Sequence, residues 1–394
     1  MKIEDVIILV GGKGSRLGNI SKITPKPLIK IDKITFLKQI IIKLLKYKFK
    51  NIYLICSYKK KRFFNAFDKK KIHNTKIYCI DEGVPKGTAG GLYKLKKKLK
   101  KNFILLNGDT FFEINFTDLI EKKLNKKSIF MCLTKKTNTV NNYKINNINV
   151  KNEVVFFSKK SNFVNGGIYL LNKNILKKIN NKYLSFENDI LKTEIKKNKV
   201  IGKYFNNFFI DIGSKKKLNF LKKNPKILKN KCFFLDRDVV INKDVSYINN
   251  FRNSIFLKDI YKAIRFLNNR SFLVIIITNQ VTSSKGITTK KQMESINESI
   301  KDNLYLKNKS VIDDIFYSSN FKYLKQKNYK RNKFYRKSNF DMILKATKKW
   351  NIDLSSSFFI GNKILDYKEA KRHKLKFYFK KKIPLYNQLK NVII

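Results

Sequence analysis

Short apolar segments alternate with lysine-rich segments of helical period along the first half of the chain. The apolar runs are Val6–Val10, Ile52–Cys56, Ile77–Ile80 and Phe103–Leu106. Between them, Phe36–Phe49 and Ala89–Leu99 place apolar residues at the three- and four-residue spacing of one helix face. Such alternation is typical of βαβ units, which build a parallel sheet with helices on both faces. The first half therefore predicts an α/β domain.

The same alternation starts again after a polar stretch, Lys222–Lys226, whose composition is typical of a linker. The later elements predicted are strands over Lys231–Leu235, Phe272–Ile277 and Phe358–Ile360, and helices over Leu257–Asn269 and from Thr288. A length of 394 residues suits two domains. We place them at residues 1–224 and 230–394, and the two halves share no internal repeat.

The N-terminus gives an expectation about location. Met1–Asp5 sets acidic residues before a short apolar run, without small-residue cleavage chemistry, so no signal peptide is expected. That run is far too short to cross a bilayer. The cysteines lie far apart with no metal-like spacing, which favours reduced, buried thiols; they are Cys56, Cys79, Cys132 and Cys232. The sequence predicts a cytoplasmic protein with no membrane partner.

The net charge is +60, from 88 basic and 28 acidic residues. This excess raises the alternative of nucleic-acid binding. Against it, the lysines are spread over both halves, and lysine outnumbers arginine, the residue that nucleic-acid readers favour. We expect a solvated basic surface that attracts nucleotides and sugar phosphates but no specific nucleic acid. Homo-oligomer formation stays open.

A glycine-rich run, Gly11–Leu17, follows the first apolar segment. Glycines there let backbone N–H groups approach phosphates, and Arg16 can neutralise their charge. The spacing fits neither a Rossmann fingerprint nor a P-loop. Pro25-Lys26-Pro27-Leu28 lies just downstream, where two prolines stiffen the backbone around one lysine. Together they indicate a phosphate site with fixed cations.

This pair of motifs resembles the signature of nucleotidyltransferases that join a nucleoside triphosphate to a sugar 1-phosphate. Further matching segments follow in family order, and the resemblance covers nearly all of residues 3–220. They are Glu82–Gly90, which resembles the segment that packs on the base; Asn107–Thr110 and Phe208–Ser214, which resemble the two metal-binding aspartate motifs; and Asn165–Tyr169, which resembles the sugar-contacting segment with Gly166 in place of alanine.

The resemblance implies a Rossmann-like, mixed-sheet domain of the GT-A type and a role for individual residues. Arg16 and Lys26 would be catalytic, and Asp109 and Asp211 would hold Mg²⁺, a hard cation that prefers oxygen ligands. The residues implied for the nucleotide are Gly11, Gly12, Gly14, Ser15, Gly87 and Thr88. Those implied for the sugar phosphate are Lys160, Asn165, Gly167 and Glu187.

Plainer interpretations exist for several of these residues. Gly11–Gly14 alone would suit a bare strand–helix turn, and an aspartate such as Asp109 or Asp211 can cap a helix. Glu187 suits a solvated surface, and Lys160 lies in a chain rich in lysine. The acidic neighbour usual before the family lysine is Lys159 here.

In the second half, strand-like runs end in groups suited to phosphate chemistry. The run that ends in Asp236-Arg237-Asp238 carries a candidate nucleophile and a candidate acid/base. Thr278-Asn279-Gln280 ends another run, and Arg336-Lys337 offers cations. Phe359–Lys363, with Asp366 beyond it, completes the set.

These pieces, over about residues 231–380, resemble haloacid-dehalogenase-type (HAD-type) phosphatases, whose doubly wound α/β fold is expected here. The Asp-Arg-Asp-x-Val-Ile-Asn and Thr-Asn-Gln forms resemble the branch that includes heptose 1,7-bisphosphate and histidinol phosphatases. By resemblance, Asp236 is the nucleophile and Asp238 the acid/base. Thr278, Asn279 and Lys337 bind phosphate or substrate, and Asp236, Asp238, Asn362 and Asp366 hold a second Mg²⁺.

Three departures from that pattern bear on activity. Val239 stands where the family has glycine, and Asn362 replaces an aspartate at the metal site. The region Tyr317–Tyr335 lacks the family's cysteine and histidine loop, so no zinc is expected.

The sequence thus predicts a bifunctional enzyme of nucleotide-sugar synthesis. One domain would transfer a nucleotidyl group to heptose 1-phosphate, with GTP favoured although the motifs leave the base open, and the other would remove the 7-phosphate of heptose 1,7-bisphosphate. The product would feed a surface glycan such as lipopolysaccharide. The alternative is a mannose or glucose 1-phosphate nucleotidyltransferase with a degenerate, inactive second domain.

Overall fold

The structure is a computed structural model that describes residues 3–135, 148–161, 163–242, 256–279, 289–318 and 340–393. The chain divides into two compact units, Met1–Leu228 and Lys229–Ile394. Each has a central sheet and its own buried core.

Fourteen strands are described in the first unit. They are β1 (Asp5–Leu9), β2 (Lys30–Ile31), β3 (Ile34–Thr35), β4 (Asn51–Cys56), β5 (Lys71–Ile72), β6 (Thr75–Asp81), β7 (Phe103–Asn107), β8 (Thr110–Phe112), β9 (Ile129–Lys135), β10 (Ile148–Lys151), β11 (Val154–Phe157), β12 (Phe163–Leu171), β13 (Val200–Tyr204) and β14 (Phe209–Asp211). The α-helices described are Asn19–Ile23, Phe36–Leu45, Lys60–Phe67, Gly87–Gly90, Thr117–Ile120, Lys192–Lys196 and Lys215–Lys223. Phe186–Leu191 forms a short π-helix.

Ten strands form the main sheet, in the order β10-β11-β13-β9-β12-β7-β1-β4-β6-β5. β7, β1, β4 and β6 run parallel, whereas β12 pairs antiparallel with both β7 and β9. The parallel strands are almost continuously apolar because both sheet faces are covered, as in β1, where Val6, Ile7 and Ile8 have no exposed surface. The Rossmann-like α/β architecture predicted for this half, with a mixed sheet, is confirmed.

A cap residue and glycines set the bounds of the two helices predicted in this half. Thr35 caps the helix Phe36–Leu45 by accepting a hydrogen bond from the Lys38 N–H at 3.3 Å. The segment predicted as one helix over Ala89–Leu99 begins instead as a short helix, Gly87–Gly90, followed by a 3₁₀ turn over Gly91–Leu95. Glycine weakens helices, which accounts for the shorter element.

The second unit has a five-stranded sheet in the order β17-β16-β15-β18-β19, and all four pairings are parallel. The strands are β15 (Cys232–Asp236), β16 (Leu273–Asn279), β17 (Asp314–Ser318), β18 (Phe358–Gly361) and β19 (Lys376–Phe379). The helices described in this unit are Ile260–Asn269, Lys290–Asn308, Phe340–Trp350, Ile364–Arg372 and Leu385–Ile393. Because parallel strands end at the same edge, the carboxyl ends of β15, β16 and β18 lie close together.

None of the helices in the described ranges is both long and apolar enough to cross a membrane. All four cysteines are free thiols and buried, as expected.

Candidate active sites

The carboxyl ends of β1 and β7 meet because the two strands are parallel neighbours. The N–H of Gly108, just after β7, donates to the Leu9 carbonyl at 2.9 Å. A Cβ on Gly108 would lie 2.6 Å from Val10 Cγ1, so a larger residue would not fit. This close crossing sets Asp109 beside the start of the glycine-rich loop.

Gly14 and Lys26 form one packed part. Gly14 has φ +72°, the left-handed region that glycine tolerates, and a Cβ there would lie 2.7 Å from Lys26 Cε. The lysine stem therefore passes directly against the glycine backbone. Lys26 is only 8% exposed, and its Nζ lies 3.2 Å from Asp109 Oδ2. The predicted catalytic lysine and the predicted metal carboxylate are thus an ion pair.

Asp211 reaches the same site through a small two-stranded sheet. β14 pairs antiparallel with β8, which sets Asp211 opposite Thr110, and the Ile212 N–H donates to the Asp109 carbonyl at 2.9 Å. Asp211 Oδ1 accepts from the Gly213 N–H at 2.7 Å. The two predicted metal carboxylates therefore belong to adjacent strand ends.

Two further cations lie at Asp211. Lys217 Nζ lies 2.6 Å from Asp211 Oδ2, and both side chains are largely buried. Arg16 Nη2 lies 3.4 Å from the position that a Cβ on Gly213 would take, so this guanidinium adjoins the same turn. Lys217 was not among the predicted site residues, because nothing in a run of three lysines marks the third as buried.

The Gly87–Gly90 segment packs against the chain around Leu184. Gly87 has φ +79°, and the Ala89 N–H donates to the Leu184 carbonyl at 2.9 Å. Thr88 Oγ1 donates to Glu187 Oε2 at 2.8 Å and accepts from the Phe186 N–H at 2.7 Å. Thr88 and Glu187 are therefore hydrogen-bonded to each other, Gly87 packs against Leu184 beside them, and Glu187 is half-buried rather than fully solvated.

Glu82 is a buried carboxyl for which no individual role was predicted. It is 6% exposed, and its Oε1 accepts from the Lys86 N–H at 2.9 Å. Its Oε2 lies 3.5 Å from the position of a Cβ on Gly11, the first glycine of the loop. Burial raises the pKa of this carboxyl above its ordinary value, against the opposing hydrogen bond from Lys86. The signal available for Glu82 was its place at the start of Glu82–Gly90, the segment that resembles the base-contacting part of the family.

The segment Asn165–Tyr169 contains a bulge in β12, and its polar groups hydrogen-bond to one another. Asn165 Oδ1 accepts from the Gly167 N–H at 2.9 Å, and Asn165 Nδ2 donates to the Tyr169 hydroxyl at 2.5 Å. Gly167 has φ +67°. At Gly166 a Cβ would lie 2.6 Å from the Phe112 ring and 2.8 Å from the Cys132 carbonyl, which explains why alanine is absent.

The remaining predicted residues of the first unit are exposed. Ser15 and Gly12 lie on the open face of the loop, and no atom lies within 4 Å of a Cβ placed on Gly12. Lys160 is exposed, and its carbonyl accepts from Ser158 Oγ at 3.0 Å. No contact described in the structure links Lys160 to either aspartate.

In the second unit, the predicted nucleophile Asp236 ends β15 and is 6% exposed. Its Oδ1 accepts from the Arg237 N–H at 2.8 Å. Burial, together with the nearby charges of Asp366 and Asp238, raises the pKa of Asp236 to about 7. This carboxyl is therefore harder to ionise than an ordinary aspartate.

Asp238 is held by its neighbour. Arg237 Nε donates to Asp238 Oδ1 at 2.9 Å, and Asn242 Nδ2 lies 3.5 Å from the same oxygen. Val239, where glycine was expected, has φ +67°. The turn keeps a glycine-like backbone although its residue is β-branched, so this position is strained.

Thr278 and Asn362 each place a buried oxygen atom at this edge of the sheet. Thr278 is 1% exposed, and neither its Oγ1 nor Asn362 Oδ1 has a hydrogen-bond partner among the described residues. Asp366 Oδ2 accepts from the N–H groups of Asn362 and Lys363 at 3.2 and 3.1 Å, and burial raises its pKa. Such orphaned atoms are typical of binding sites.

Some predictions fall outside what the structure describes. Lys337, Gln280 and the side chain of Asn279 lie outside the described residues, as does most of the region Tyr317–Tyr335. Within the described ranges, no three histidine, cysteine, aspartate or glutamate residues are grouped to hold a metal ion.

Comparison with known proteins concerns a little more than half of the chain. The family model described as nucleotidyl transferase matches residues 5–230. The D-glycero-alpha-D-manno-heptose 1-phosphate guanylyltransferase of Campylobacter jejuni is 38% identical over 213 residues, which are 52% of this chain and 93% of that protein. The protein of the same description from Aneurinibacillus thermoaerophilus is 31% identical over 216 residues, 53% of this chain and 93% of that protein. The crystal structure of HddC from Yersinia pseudotuberculosis is 26% identical, with a TM-score of 0.49, and covers 57% of this chain and 100% of that chain.

Proposed function

The chain belongs to the nucleotidyl transferase family, and we propose that its N-terminal unit transfers GMP from GTP to a heptose 1-phosphate with release of pyrophosphate. The relatives that carry this description support the substrates. The observation that carries the proposal is the buried Lys26, threaded against Gly14 and paired with Asp109. We assign this activity to residues 1–224 and place it in the cytoplasm, where GTP and sugar phosphates occur.

The reaction asks the protein for positioning and charge rather than for covalent chemistry. A phosphate oxygen of the sugar 1-phosphate attacks the α-phosphorus of GTP, a new P–O bond forms, and the bond to the pyrophosphate oxygen breaks. Lys26 and Arg16 stabilise the charge on the transferring and leaving phosphates. The backbone of Gly11–Ser15 approaches the phosphates closely because it carries few side-chain atoms.

The donor set at the two strand ends fits a hard divalent cation. Asp109 and Asp211 supply carboxylate oxygens from adjacent strands, and their backbones are tied by the hydrogen bond from Ile212. These two residues would hold Mg²⁺, which when bound supplies positive charge to the phosphate oxygens.

Glu82 favours guanine as the base. Guanine presents two neighbouring donors, N1–H and the N2 amino group, which suit a single carboxylate acceptor. Thymine and uracil present one donor between two acceptors, and cytosine one donor beside two acceptors, so each would set an acceptor against the carboxylate. The position of Glu82 Oε2 beside Gly11 supports this role.

The group around Thr88 is proposed to hold the sugar. Glu187 accepts from Thr88 and is held half-buried on the π-helix, so its second oxygen can accept from a sugar hydroxyl. Asn165 and Gly167 shape the bulge opposite, and Lys160 is proposed to bind the sugar phosphate from its exposed loop.

Pyrophosphate release tests this proposal directly. We would assay the full chain with GTP, ATP, CTP and UTP against heptose, mannose and glucose 1-phosphates. GTP with heptose 1-phosphate should give the highest kcat/KM. A clear preference for a hexose 1-phosphate would replace the heptose proposal with the alternative, a hexose 1-phosphate nucleotidyltransferase.

For residues 230–394 we propose a HAD-like phosphatase that removes the 7-phosphate of heptose 1,7-bisphosphate. The orphaned buried oxygens of Thr278 and Asn362, beside the buried Asp236, support a phosphate site. Asp236 attacks phosphorus, the sugar oxygen leaves with a proton from Asp238, and water then releases phosphate from the acyl-phosphate. Asn279 and Lys337 are proposed to bind the phosphate as well.

The oxygens at this edge are also of the type that Mg²⁺ prefers. The unpartnered Asn362 Oδ1 and the buried carboxylates of Asp236 and Asp366 fit a hard cation, and Asp238 is proposed as a further ligand. A cation here would add positive charge at the attacked phosphate and favour the ionised form of Asp236.

Phosphate release from heptose 1,7-bisphosphate separates an active phosphatase from a degenerate one. Wild type should release phosphate, and Asp236→Asn should abolish release because it removes the nucleophile, whereas the exposed control Asp302→Asn should match wild type. Equal, background rates for wild type and Asp236→Asn would leave only the transferase.

A further inference from the structure

Lys217 differs from the lysines beside it in being buried. Lys215 and Lys216 on the same helix are exposed, whereas Lys217 is 8% exposed. Ser214 caps the helix Lys215–Lys223 by accepting from the Lys217 N–H at 3.4 Å, which fixes where the lysine stem begins. The ammonium group then reaches Asp211 Oδ2 at 2.6 Å. A buried ammonium needs such a partner, since an unpaired one would be costly.

We propose that Lys217 is a positioning residue that holds Asp211 in an ion pair until a nucleoside triphosphate arrives, so that the divalent cation enters the first site only together with the nucleotide. This inference rests on the proposed transferase function. It concerns the order in which the metal and the nucleotide bind, which that function leaves open.

Both oxygens of Asp211 are engaged by other groups of the chain. Oδ1 accepts from the Gly213 N–H, and Oδ2 holds the Lys217 ammonium. A divalent cation that binds Oδ2 must displace an ammonium at 2.6 Å or tolerate its repulsion. Asp109 Oδ2 is engaged in the same way by Lys26. Both carboxylates thus carry a built-in competitor for the metal.

The charges of the site favour an anion as the first ligand. Lys26 and Lys217 pair with Asp109 and Asp211, and the guanidinium of Arg16 adjoins the turn at Gly213, so these five residues carry one positive charge in excess. A triphosphate is attracted to such a site, whereas a free divalent cation is not. When phosphate oxygens take over the lysines, the carboxylate oxygens become available to the cation that the nucleotide brings.

Titration of the metal-free full chain with Mn²⁺ alone, followed by calorimetry, tests this order. We expect weak binding by wild type and roughly tenfold tighter binding by Lys217→Met, which keeps the stem and removes the competing charge. Lys217→Arg keeps a cation and should bind as weakly as wild type. Lys216→Met is the matched control on the exposed side of the helix and should also bind as wild type does. Equal Mn²⁺ affinity for Lys217→Met and wild type would overturn the proposal; mere damage to the fold would weaken binding rather than strengthen it.

A second measurement needs no variant at Lys217. Wild type should bind GTP in the presence of EDTA, within about tenfold of its affinity with Mn²⁺, because its own cations meet the phosphates. If GTP binds only when the metal is present, nucleotide-first binding is wrong. Failure of the transferase proposal is a separate result: no pyrophosphate release with any triphosphate, whatever the Mn²⁺ titration gives.

Discussion

The carboxylates of the two candidate sites lie in opposite electrostatic environments. In the first unit, Asp109 and Asp211 are each paired with a buried lysine. In the second unit, Asp236 lies buried near Asp238 and Asp366, and their combined charge and burial raise its pKa to about 7. The acids of the first site are paired with lysine side chains, whereas Asp236, the proposed nucleophile of the second site, lies near two other acids.

This difference suggests what each site requires from its ligands. The paired site has an excess of cations and needs a polyanion, such as a triphosphate, to separate the ion pairs. The second site has buried oxygens on Thr278 and Asn362 without hydrogen-bond partners among the described residues, and the pKa of Asp236 is raised. A bound cation would therefore favour the ionised form of Asp236.

The pH dependence of stability should show the largest effect. The folded pKa of Asp236 is about 7 against an ordinary value of 3.8, so between these values the folded unit holds a proton that the unfolded chain releases. The free energy of unfolding should therefore fall as pH rises from about 4 to about 7, by up to about 4 kcal/mol more than in Asp236→Asn.

Trp350 makes that measurement specific, because it is the chain's one tryptophan and is buried in the second unit. Urea unfolding of wild type and Asp236→Asn would be followed by its fluorescence at several pH values. Parallel pH profiles for the two proteins would mean that the pKa of Asp236 is not raised by folding. The proposed electrostatic difference between the two sites would then be wrong.

Removal of the Lys26 ammonium group from the first site should have the next largest effect. Lys26→Met keeps the stem beside Gly14 but leaves Asp109 and the phosphates without the ammonium. We expect kcat/KM for pyrophosphate release to fall about 10²- to 10³-fold, or about 3 to 4 kcal/mol. Lys30→Met, at an exposed nearby lysine, is the control. A loss below tenfold would show that the pairing of Lys26 has little to do with transfer.

A smaller effect is expected from a substitution at Gly14, where the backbone contacts the stem of Lys26. Gly14→Ala adds a Cβ 2.7 Å from Lys26 Cε at a position with φ +72°. This substitution should lower the free energy of unfolding by about 1 to 3 kcal/mol, measured by circular dichroism in urea. Gly12→Ala meets no atom within 4 Å and should leave stability unchanged. Equal stability for both variants would show that the loop shifts enough to accommodate the added Cβ beside the lysine.

The smallest effect is expected at the strained turn of the second site. Val239 has φ +67°, and Val239→Gly should stabilise the second unit by about 1 kcal/mol because glycine adopts that backbone freely. The half-buried loop residue Val311 has no such strain, and Val311→Gly should destabilise by a similar amount. Trp350 fluorescence in urea reports both. Destabilisation by Val239→Gly would show that packing of the valine outweighs its strain.

Sequence patterns predicted the central parallel strands of both units, because runs such as Phe103–Leu106 are continuous and buried on both faces. Other strands, including β9, β12 and β17, were not among the predicted elements. The patterns also predicted that glycine suits position 239, and the valine there does adopt the left-handed backbone. Contacts between residues distant in the chain could not be predicted from the sequence. Gly14 and Lys26 were each singled out, but their contact depends on where two turns meet in space.

Burial of charged residues was equally hard to predict. Lys217 is chemically identical to its two exposed neighbours, and only the capped helix and the turn at Gly213 decide which of the three faces Asp211. Glu82 lies at the end of a strand whose apolar residues drew attention instead. Both residues acquire their roles from neighbours far away in the chain.

The ribbon of β8 and β14 also determines when the first site can exist. Its two strands lie about a hundred positions apart, so their pairing closes a long loop at considerable entropic expense. The parallel strands β1, β4, β6 and β7 can pair from the first 107 residues alone. A nascent chain leaving the ribosome would therefore have its central strands before Asp211 joins Asp109, and competence for catalysis would arrive late in synthesis.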